Sequence, residues 1–344
     1  MKSPSQIFRL VRQVIIGSVM SSMLGSAALA NEPVKFLLDF VPYGKHAFFY
    51  AALEKGFWKN AGFDVTILKG DGSGATVAAM AAGAVDFGFA DIPTTIIGRS
   101  KGAKVKIVGV IHEKSLYSIG WLDGVAAIKG PRDLEGKRIA SSAADTNRIL
   151  FPALAQIAGV DQSKVTWVTM TPPARAPSLI AGQADAAVLL ATENPTFSAR
   201  AKESGKKWAS FLYSDYGLDL YGAGLIVRDE QIAKEPERVK KFVQATYQAV
   251  AWSTEHPEEA LQMFLKHHPA INPAEAREHY RIALAHLMTA NSKRFGIGFM
   301  DKGKMKHTVD TVEKYFNITG LQMDDLYTNQ FLTPKMVPTQ GRLN

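Results

Sequence analysis

The sequence predicts an α/β protein of two doubly wound lobes, on three observations. From Val34 onward, short apolar runs alternate with amphipathic stretches, as they do in repeated βα units with a mostly parallel sheet. The alternation restarts after Gly130-Pro131, giving a second series of the same kind. A short pattern, Ala-Gly-x-x-Asp, recurs at equivalent places in both series, as Ala82–Asp86 and Ala181–Asp185. In each, a glycine ends a helix and an aspartate precedes the next strand.

In order, Val34–Asp39 reads as a strand and His46–Asn60 as a helix. Val65–Leu68 is a strand, Ala75–Ala82 a small-residue helix, and Val85–Phe89 a strand. Thr94–Ser100 is a helix stopped by Gly102, and Val105–Ile111 a strand. The second series runs Arg138–Ser141 strand, Thr146–Ala158 helix, Val165–Thr169 strand, Ala174–Ala181 helix and Ala184–Leu189 strand. Phe211–Tyr213 and Leu225–Val227 are further strands. The rest is helical, over Pro236–Glu255, Pro257–His267, Pro273–Leu287 and Asp301–Phe316. Pro236, Pro257 and Pro273 stand at helix starts, where a missing N–H costs little. In such open sheets the ligand-binding loops lie beyond the C-terminal ends of the strands.

The first thirty residues follow a different logic. Lys2, Arg9 and Arg12 precede an apolar stretch from Val14 to Leu24, and Ala28-Leu29-Ala30 has the small-x-small form of a signal-peptidase site. Gly17, Ser18, Ser21 and Ser22 interrupt the apolar core, which falls short of the ~20 residues a spanning helix needs. Residues 1–30 are therefore expected to be a secretory signal, with the mature chain starting at Asn31.

The 344 residues are 47% hydrophobic and 21% charged, which fits a globular protein of two domains. There is no cysteine, so thiolate nucleophiles, thiolate metal sites and iron–sulfur clusters are excluded. The formal charge of +8 includes the three cations of the signal. Arg99, Lys101, Lys104 and Lys106 form the densest basic cluster. No aromatic residue interleaves with them, so they read as a solvated helix end and loop, and no nucleic-acid partner is expected. A mild positive field still suits an anionic ligand.

Several loops carry candidate ligand contacts. Asp39, Tyr43 and His46 follow the first strand, with each open to a bland reading as loop, cap or satisfied core residue. Gly72, Ser73 and Gly74 join a strand to a helix whose first N–H groups are free. Gly70–Gly74 lacks both the dinucleotide and the P-loop spacing, and Asp71 breaks the pattern of a serine elbow, so no cofactor is expected. Asp91 and Thr94 open a helix as contacts or as caps. Ser141, Asn147 and Arg148 lie at the first strand-to-helix junction of the second series, Arg175 at the next, and Glu193 after the last strand. An arginine fork would recognise a carboxylate, sulfonate or phosphate, provided that it faces the cleft. His256, His267, His268, His279, His286 and His307 show no metal-binding spacing.

The run Leu38–His46, followed by Ala51–Trp58, Gly62-Phe63-Asp64-Val65, Gly72-Ser73-Gly74, Gly83–Gly88 and Asp133–Lys137, resembles one family. These are periplasmic solute-binding proteins of ABC importers, in the branch related to thiamine-pyrimidine-precursor binding. The resemblance covers most of the mature chain and is strongest over residues 34–141. It implies the periplasmic binding protein type II fold, with two lobes joined by two crossing strands and the ligand between them. Lobe 1 would hold residues 31–122 plus 225–344, lobe 2 residues 123–224, and Tyr117–Leu122 and Gly222–Val227 would be the crossings. It further implies a monomeric periplasmic receptor, a small-molecule ligand, and an inner-membrane ABC permease with its cytoplasmic ATPase as partner. In the family a carboxylate near Glu193 pairs with an amino group of a heteroaromatic ligand. Phe40 and Tyr43 depart from the family's tryptophan and asparagine, where the ligand would be read. The family's eukaryotic synthases use a cysteine-rich motif, absent here, so this chain resembles the transport branch rather than an enzyme. The expected ligand is a nitrogen heteroaromatic; the alternative is a small organic anion such as a sulfonate, taurine or an aromatic carboxylate.

Overall fold

The computed structural model describes residues 31–333 together with 336, 338, 341 and 343. The expected signal segment lies outside the described residues. In chain order the strands are β1 (Glu32–Leu37), β2 (Phe63–Leu68), β3 (Phe87–Asp91), β4 (Val105–Val110), β5 (Tyr117–Asp123), β6 (Arg138–Ser141), β7 (Thr166–Thr169), β8 (Ala186–Leu190), β9 (Lys207–Leu212) and β10 (Ala223–Arg228). They form two five-stranded sheets with the orders β2-β1-β3-β10-β4 and β7-β6-β8-β5-β9. These are the two α/β layers expected from the alternation, and the strand orders match position for position.

Both sheets are mixed rather than mostly parallel. β10 runs antiparallel to β3 and β4, and β5 runs antiparallel to β8 and β9. The reason is topological. Each of these strands arrives from the other sheet and inserts against the direction set by the local βα units. Tyr117–Leu122 pairs along its length inside the second sheet, and Ala223–Arg228 inside the first. The chain therefore passes between sheets at residues 111–116 and 213–222. These passages are tied side by side: His112 N–H donates to Ala223 O at 2.9 Å, Gly222 N–H to His112 O at 2.8 Å, and Ser115 N–H to Leu220 O at 3.0 Å. A Cβ on Gly222 would come within 2.8 Å of the His112 Cβ, so only glycine allows this approach.

The recurring Ala-Gly-x-x-Asp pattern does the same work twice. Gly83 and Gly182 turn the chain at φ 72° and φ 70°. Asp86 Oδ2 then accepts the Lys35 N–H at 2.8 Å, and Asp185 Oδ2 the Arg138 N–H at 2.8 Å. Each carboxylate thus satisfies a backbone donor of the neighbouring strand, β1 or β6.

The helix expected over residues 46–60 is broken. A 3-10 turn at Gly44–His46 leads into Ala47–Glu54, and Phe57–Asn60 follows after Gly56, which takes φ 74°. The sequence reading omitted the helices Asn194–Glu203 and Ala290–Phe295. The first of these is mostly polar and buries only Phe197 and Ala201, too narrow an apolar stripe to read. In the C-terminal helical part, Phe242 stacks on Phe87 at 3.7 Å and on Trp58 at 5.6 Å, while Trp58 Nε1 donates to Thr246 Oγ1 at 2.8 Å. This cluster fixes the helix Pro236–Glu255 to the first sheet. No helix among the described residues is long and apolar enough to cross a membrane.

Candidate ligand-binding site

The strand-end loops of both sheets converge on one cavity, lined by Asp39, Phe40, Lys45, Gly72, Ser73, Asp91 and His112 from one side. Leu116, Tyr117, Asp145, Thr146 and Leu190 line it from the other, with Gly222 and Ala223 at the passage. Its volume is about 30 Å³ for a water-sized sphere, room for roughly one or two waters.

Asp39 stands near the start of the first strand-to-helix loop with its carboxylate buried. Lys45 Nζ donates to Oδ2 at 2.6 Å, and His46 Nε2 donates to Oδ1 at 2.8 Å. The roles follow from the other ring nitrogen: Tyr43 N–H donates to His46 Nδ1 at 3.1 Å, so the proton sits on Nε2. Burial raises the Asp39 pKa, but Lys45 and His46 outweigh it and hold the carboxyl well below the usual range. Burial, helped by the Lys45 cation, pushes His46 down to about 4 against the pull of Asp39, so the ring is neutral at pH 7.

The glycine loop closes on this floor. Gly70 N–H donates to Phe40 O at 3.1 Å and Gly72 N–H to Asp39 O at 3.1 Å. Gly72, at φ 107°, also lets the second-sheet loop approach: a Cβ there would stand 2.4 Å from Ala144 O. Gly74 N–H donates to that same Ala144 O at 3.3 Å.

Asp91 caps the helix Ile92–Ser100 by accepting Thr94 N–H at 2.8 Å and Thr94 Oγ1–H at 2.7 Å, and its own N–H donates to Ser73 Oγ at 3.0 Å. Its other carboxyl oxygen accepts the Tyr117 hydroxyl from the second sheet. Burial pushes the Asp91 carboxyl up to about 7, partly offset by Tyr117 and Thr94. Thr94 Oγ1 meets Thr146 Oγ1 at 3.3 Å, a further link between the sheets.

Arg175 is fully buried. Its Nη2 donates to Glu193 Oε1 at 2.7 Å, its Nη1 reaches Asp145 Oδ2 at 3.5 Å and the Val188 carbonyl, and its Nε donates to Pro172 O at 3.2 Å. The guanidinium also lies 5.1 Å from the Phe40 ring centroid. Glu193 Oε2 accepts Leu190 N–H at 2.8 Å, and burial raises its carboxyl above the ordinary value despite Arg175. Tyr43 stacks on Phe40 at 6.0 Å, and burial beside Glu193 raises its phenol.

The structure thus sorts the candidates. Asp39, Gly72, Ser73 and Asp91 line the cavity. Tyr43, His46, Gly74, Thr94, Arg175 and Glu193 hold the lining groups or the opposing loops. Ser141, Asn147 and Arg148 are engaged within the second sheet's layer. Ser141 Oγ donates to Ser142 O at 2.8 Å, Asn147 accepts Ser118 N–H at 2.9 Å, and Arg148 donates to Thr169 Oγ1 at 2.9 Å over the Trp167 ring. Sequence reasoning passed over Lys45, His112 and Tyr117. Lys45 stands inside the quoted Leu38–His46 run; His112 was discoverable as the residue just beyond the strand ending at Ile111. Tyr117 enters the sequence reading only as the first residue of an expected crossing strand, since its place in the cavity depends on where β5 inserts. Among the described residues, no group of three or more His, Asp and Glu is placed to hold a metal ion.

A family model described as NMT1/THI5 like matches residues 44–260, a span that holds most of the lining groups but begins after Asp39. The chain belongs to this family. A formylaminopyrimidine-binding protein from Halalkalibacterium halodurans is 27% identical over 246 residues, covering 71% of this chain and 73% of the relative. Solved structures share the fold at low identity. The alkanesulfonate-binding protein SsuA of Xanthomonas axonopodis pv. citri, bound to MOPS, superposes with a TM-score of 0.65 at 16% identity, covering 90% of this chain and 99% of its own. A Candida albicans protein described as exhibiting the generic periplasmic binding protein structural fold superposes with a TM-score of 0.66 at 13% identity, over 91% and 99%. This NMT1/THI5-like chain therefore has the periplasmic binding protein fold.

Proposed function

We propose that this chain is the extracytoplasmic solute-binding receptor of an ABC importer, and that its solute is a small nitrogen heteroaromatic resembling a thiamine pyrimidine precursor. The charge pairing around the cavity carries the choice of solute. Lys45 is matched by Asp39, and Arg175 by Glu193 and Asp145, so neither buried cation offers itself to an anion without leaving a carboxylate unpaired. Phe40 and Tyr117 line the cavity and supply ring faces for a planar solute. The relative from H. halodurans, named for binding formylaminopyrimidine, supports the same class.

In this reading the two sheets are the cores of two lobes that divide near the passages at residues 111–116 and 213–222. The present cavity is too small for a substituted ring, so the lobes part to admit the solute and close on it. Closure is favoured by contacts that the solute makes to both lobes. The N-terminal signal delivers the protein to the periplasm, where the closed monomer docks on the inner-membrane permease that its cytoplasmic ATPase drives. Ser73 Oγ is engaged by the Asp91 backbone N–H rather than by an imidazole, so the site favours capture over nucleophilic catalysis.

Isothermal titration calorimetry of the purified protein against aminopyrimidines, taurine, alkanesulfonates and aromatic carboxylates tests this. Tight binding of an aminopyrimidine without turnover is expected; a folded protein that binds none of them would overturn the receptor reading. Preference for a sulfonate or carboxylate would instead favour the organic-anion alternative, for which Lys45 and Arg175 are the cations available.

A further inference from the structure

Several buried side-chain atoms lack a hydrogen-bond partner among the described residues: those of His112, Trp121, Ser142, Thr192, Tyr247, Glu258, Arg277 and His279. Of these residues only His112 lines the central cavity. It is 1% exposed, and its unpartnered atom is the ring nitrogen Nε2. The neighbouring lining groups are already engaged. Asp39 holds Lys45 and His46, Asp91 holds Tyr117 and Thr94, and Ser73 Oγ accepts the Asp91 N–H. A buried polar atom without a partner is costly and rare in native proteins, and it calls for an explanation.

The ring's position is fixed by elements that have nothing to do with Nε2. Its backbone is clamped by Ala223 and Gly222, and its edge packs on Phe89 at 5.6 Å and 75°. The imidazole is thus pre-oriented by backbone and aromatic packing, with one hydrogen-bonding atom left over on a residue that lines the cavity. That is how a site that reads one polar group of a ligand is built.

We propose that His112 is a ligand-contacting, specificity-determining residue, whose Nε2 makes one hydrogen bond with an uncharged ring nitrogen or amino group of the bound solute. The assignment rests on the receptor reading above and deepens it by naming the atom that recognises the heteroaromatic edge. Burial, reinforced by the nearby Lys45 cation, holds the His112 imidazole well below its ordinary pKa. The ring therefore offers a hydrogen bond without a charge, which suits a neutral heterocycle and gives an anionic group no counter-ion. The selectivity follows from the cost of mismatch. A solute that lacks the matching group leaves Nε2 buried and unpaired, whereas a solute that has it relieves an existing orphan.

Calorimetry with 4-amino-5-hydroxymethyl-2-methylpyrimidine, taurine and benzoate on wild type, His112→Phe and His112→Gln tests the assignment. The expected result is aminopyrimidine binding by wild type, weakened about tenfold or more in His112→Phe and within a few-fold of wild type in His112→Gln, whose amide can still hydrogen-bond. Circular dichroism melts establish that the variants fold. A ¹⁵N imidazole spectrum of wild type needs no variant: the Nε2 resonance of His112 should move on saturation with the pyrimidine. Wild-type binding with an unmoved Nε2 resonance, or a folded His112→Phe that binds as tightly as wild type, overturns the His112 assignment alone. Binding of taurine or benzoate in place of the pyrimidine overturns both this assignment and the heteroaromatic class while leaving a receptor. Failure of wild type to bind any of the three removes the receptor reading, and the assignment with it.

Discussion

The hydroxyl of Tyr117, on the second sheet, donates to the carboxylate of Asp91 at the end of a strand in the first. The same carboxylate caps the helix Ile92–Ser100 through Thr94, so a single acidic group serves as helix cap, cavity wall and link between sheets. Burial pushes its carboxyl up to about 7.

Stability should therefore carry a pH signature from Asp91. The unfolded carboxyl has the model value of 3.8, and the folded one about 7. Below the lower value both states are protonated and the contribution is fully present. Between the two, only the unfolded chain has lost its proton, so stability falls as pH rises and is lost through about pH 7. Asp91→Asn keeps a cap acceptor for Thr94 and lacks this titration. Urea midpoints should favour wild type over Asp91→Asn most at about pH 4, with the difference shrinking by a few kcal/mol by about pH 8. A difference that stays flat across this range would show that Asp91 titrates normally.

Gly72 is required twice, by its φ of 107° and by the carbonyl of Ala144 facing it. Gly72→Ala should cost about 1–3 kcal/mol and should resist the close approach of residues 72–74 to 144–145. Small-angle scattering should give a larger radius of gyration for the variant in the presence of ligand, and calorimetry a binding constant weakened by about tenfold or more. Gly102, whose Cβ would meet nothing within 4 Å, serves as the control: Gly102→Ala strains the backbone without touching the site.

Arg175 and Glu193 were read from the sequence as rival ligand contacts, one for an anion and one for an amino group. They are instead partners of each other, which changes what their variants report. Arg175→Ala leaves Glu193 and Asp145 buried without their cation, so the protein should lose about 3–5 kcal/mol whatever its ligand. Glu193→Gln keeps an acceptor for Arg175 or Leu190 and should be much milder. A thermal melt of Arg175→Ala within a degree or two of wild type would mean that the pair contributes little to folding.

Much of the fold was legible because its signals are local. Apolar alternation located nearly every strand, and the Ala-Gly-x-x-Asp repeat marked two aspartates that bond to β1 and β6 in the same way. What escaped was non-local. The antiparallel insertion of β5 and β10 depends on the chain's return path between sheets, which no periodicity encodes. The cavity residues divide along the same line. Asp39, Ser73 and Asp91 follow their own strands and could be found by position. Tyr117 and His112 matter because of what the passages bring beside them. Arg148 looked equivalent to Arg175 in sequence, yet it rests on Trp167 at the second sheet's edge, because helix phase decides which way each side chain turns.

A last prediction concerns a contact away from the cavity that joins the same two halves. Thr196, on the helix Asn194–Glu203, donates to Glu275 Oε2 at 2.6 Å and lies 2.9 Å from His279 Nε2, both on the helix Pro273–Leu287. The single hydroxyl proton goes to Glu275, so His279 Nε2 carries the proton of the second bond and donates it to Thr196 Oγ1. His279 also packs edge-on against Tyr43 at 5.1 Å, which couples this contact to the loop that bears Asp39 and Lys45. Thr196→Val keeps the shape and removes both bonds, each worth about 0.5–1.5 kcal/mol. If the contact belongs to the closed form alone, the variant should unfold near the wild-type temperature but bind ligand several-fold to tens of times more weakly, mainly through faster dissociation. Stopped-flow release and a thermal melt together decide it: unchanged release with a lowered melting temperature would make the contact a fixed part of the fold rather than a latch on closure.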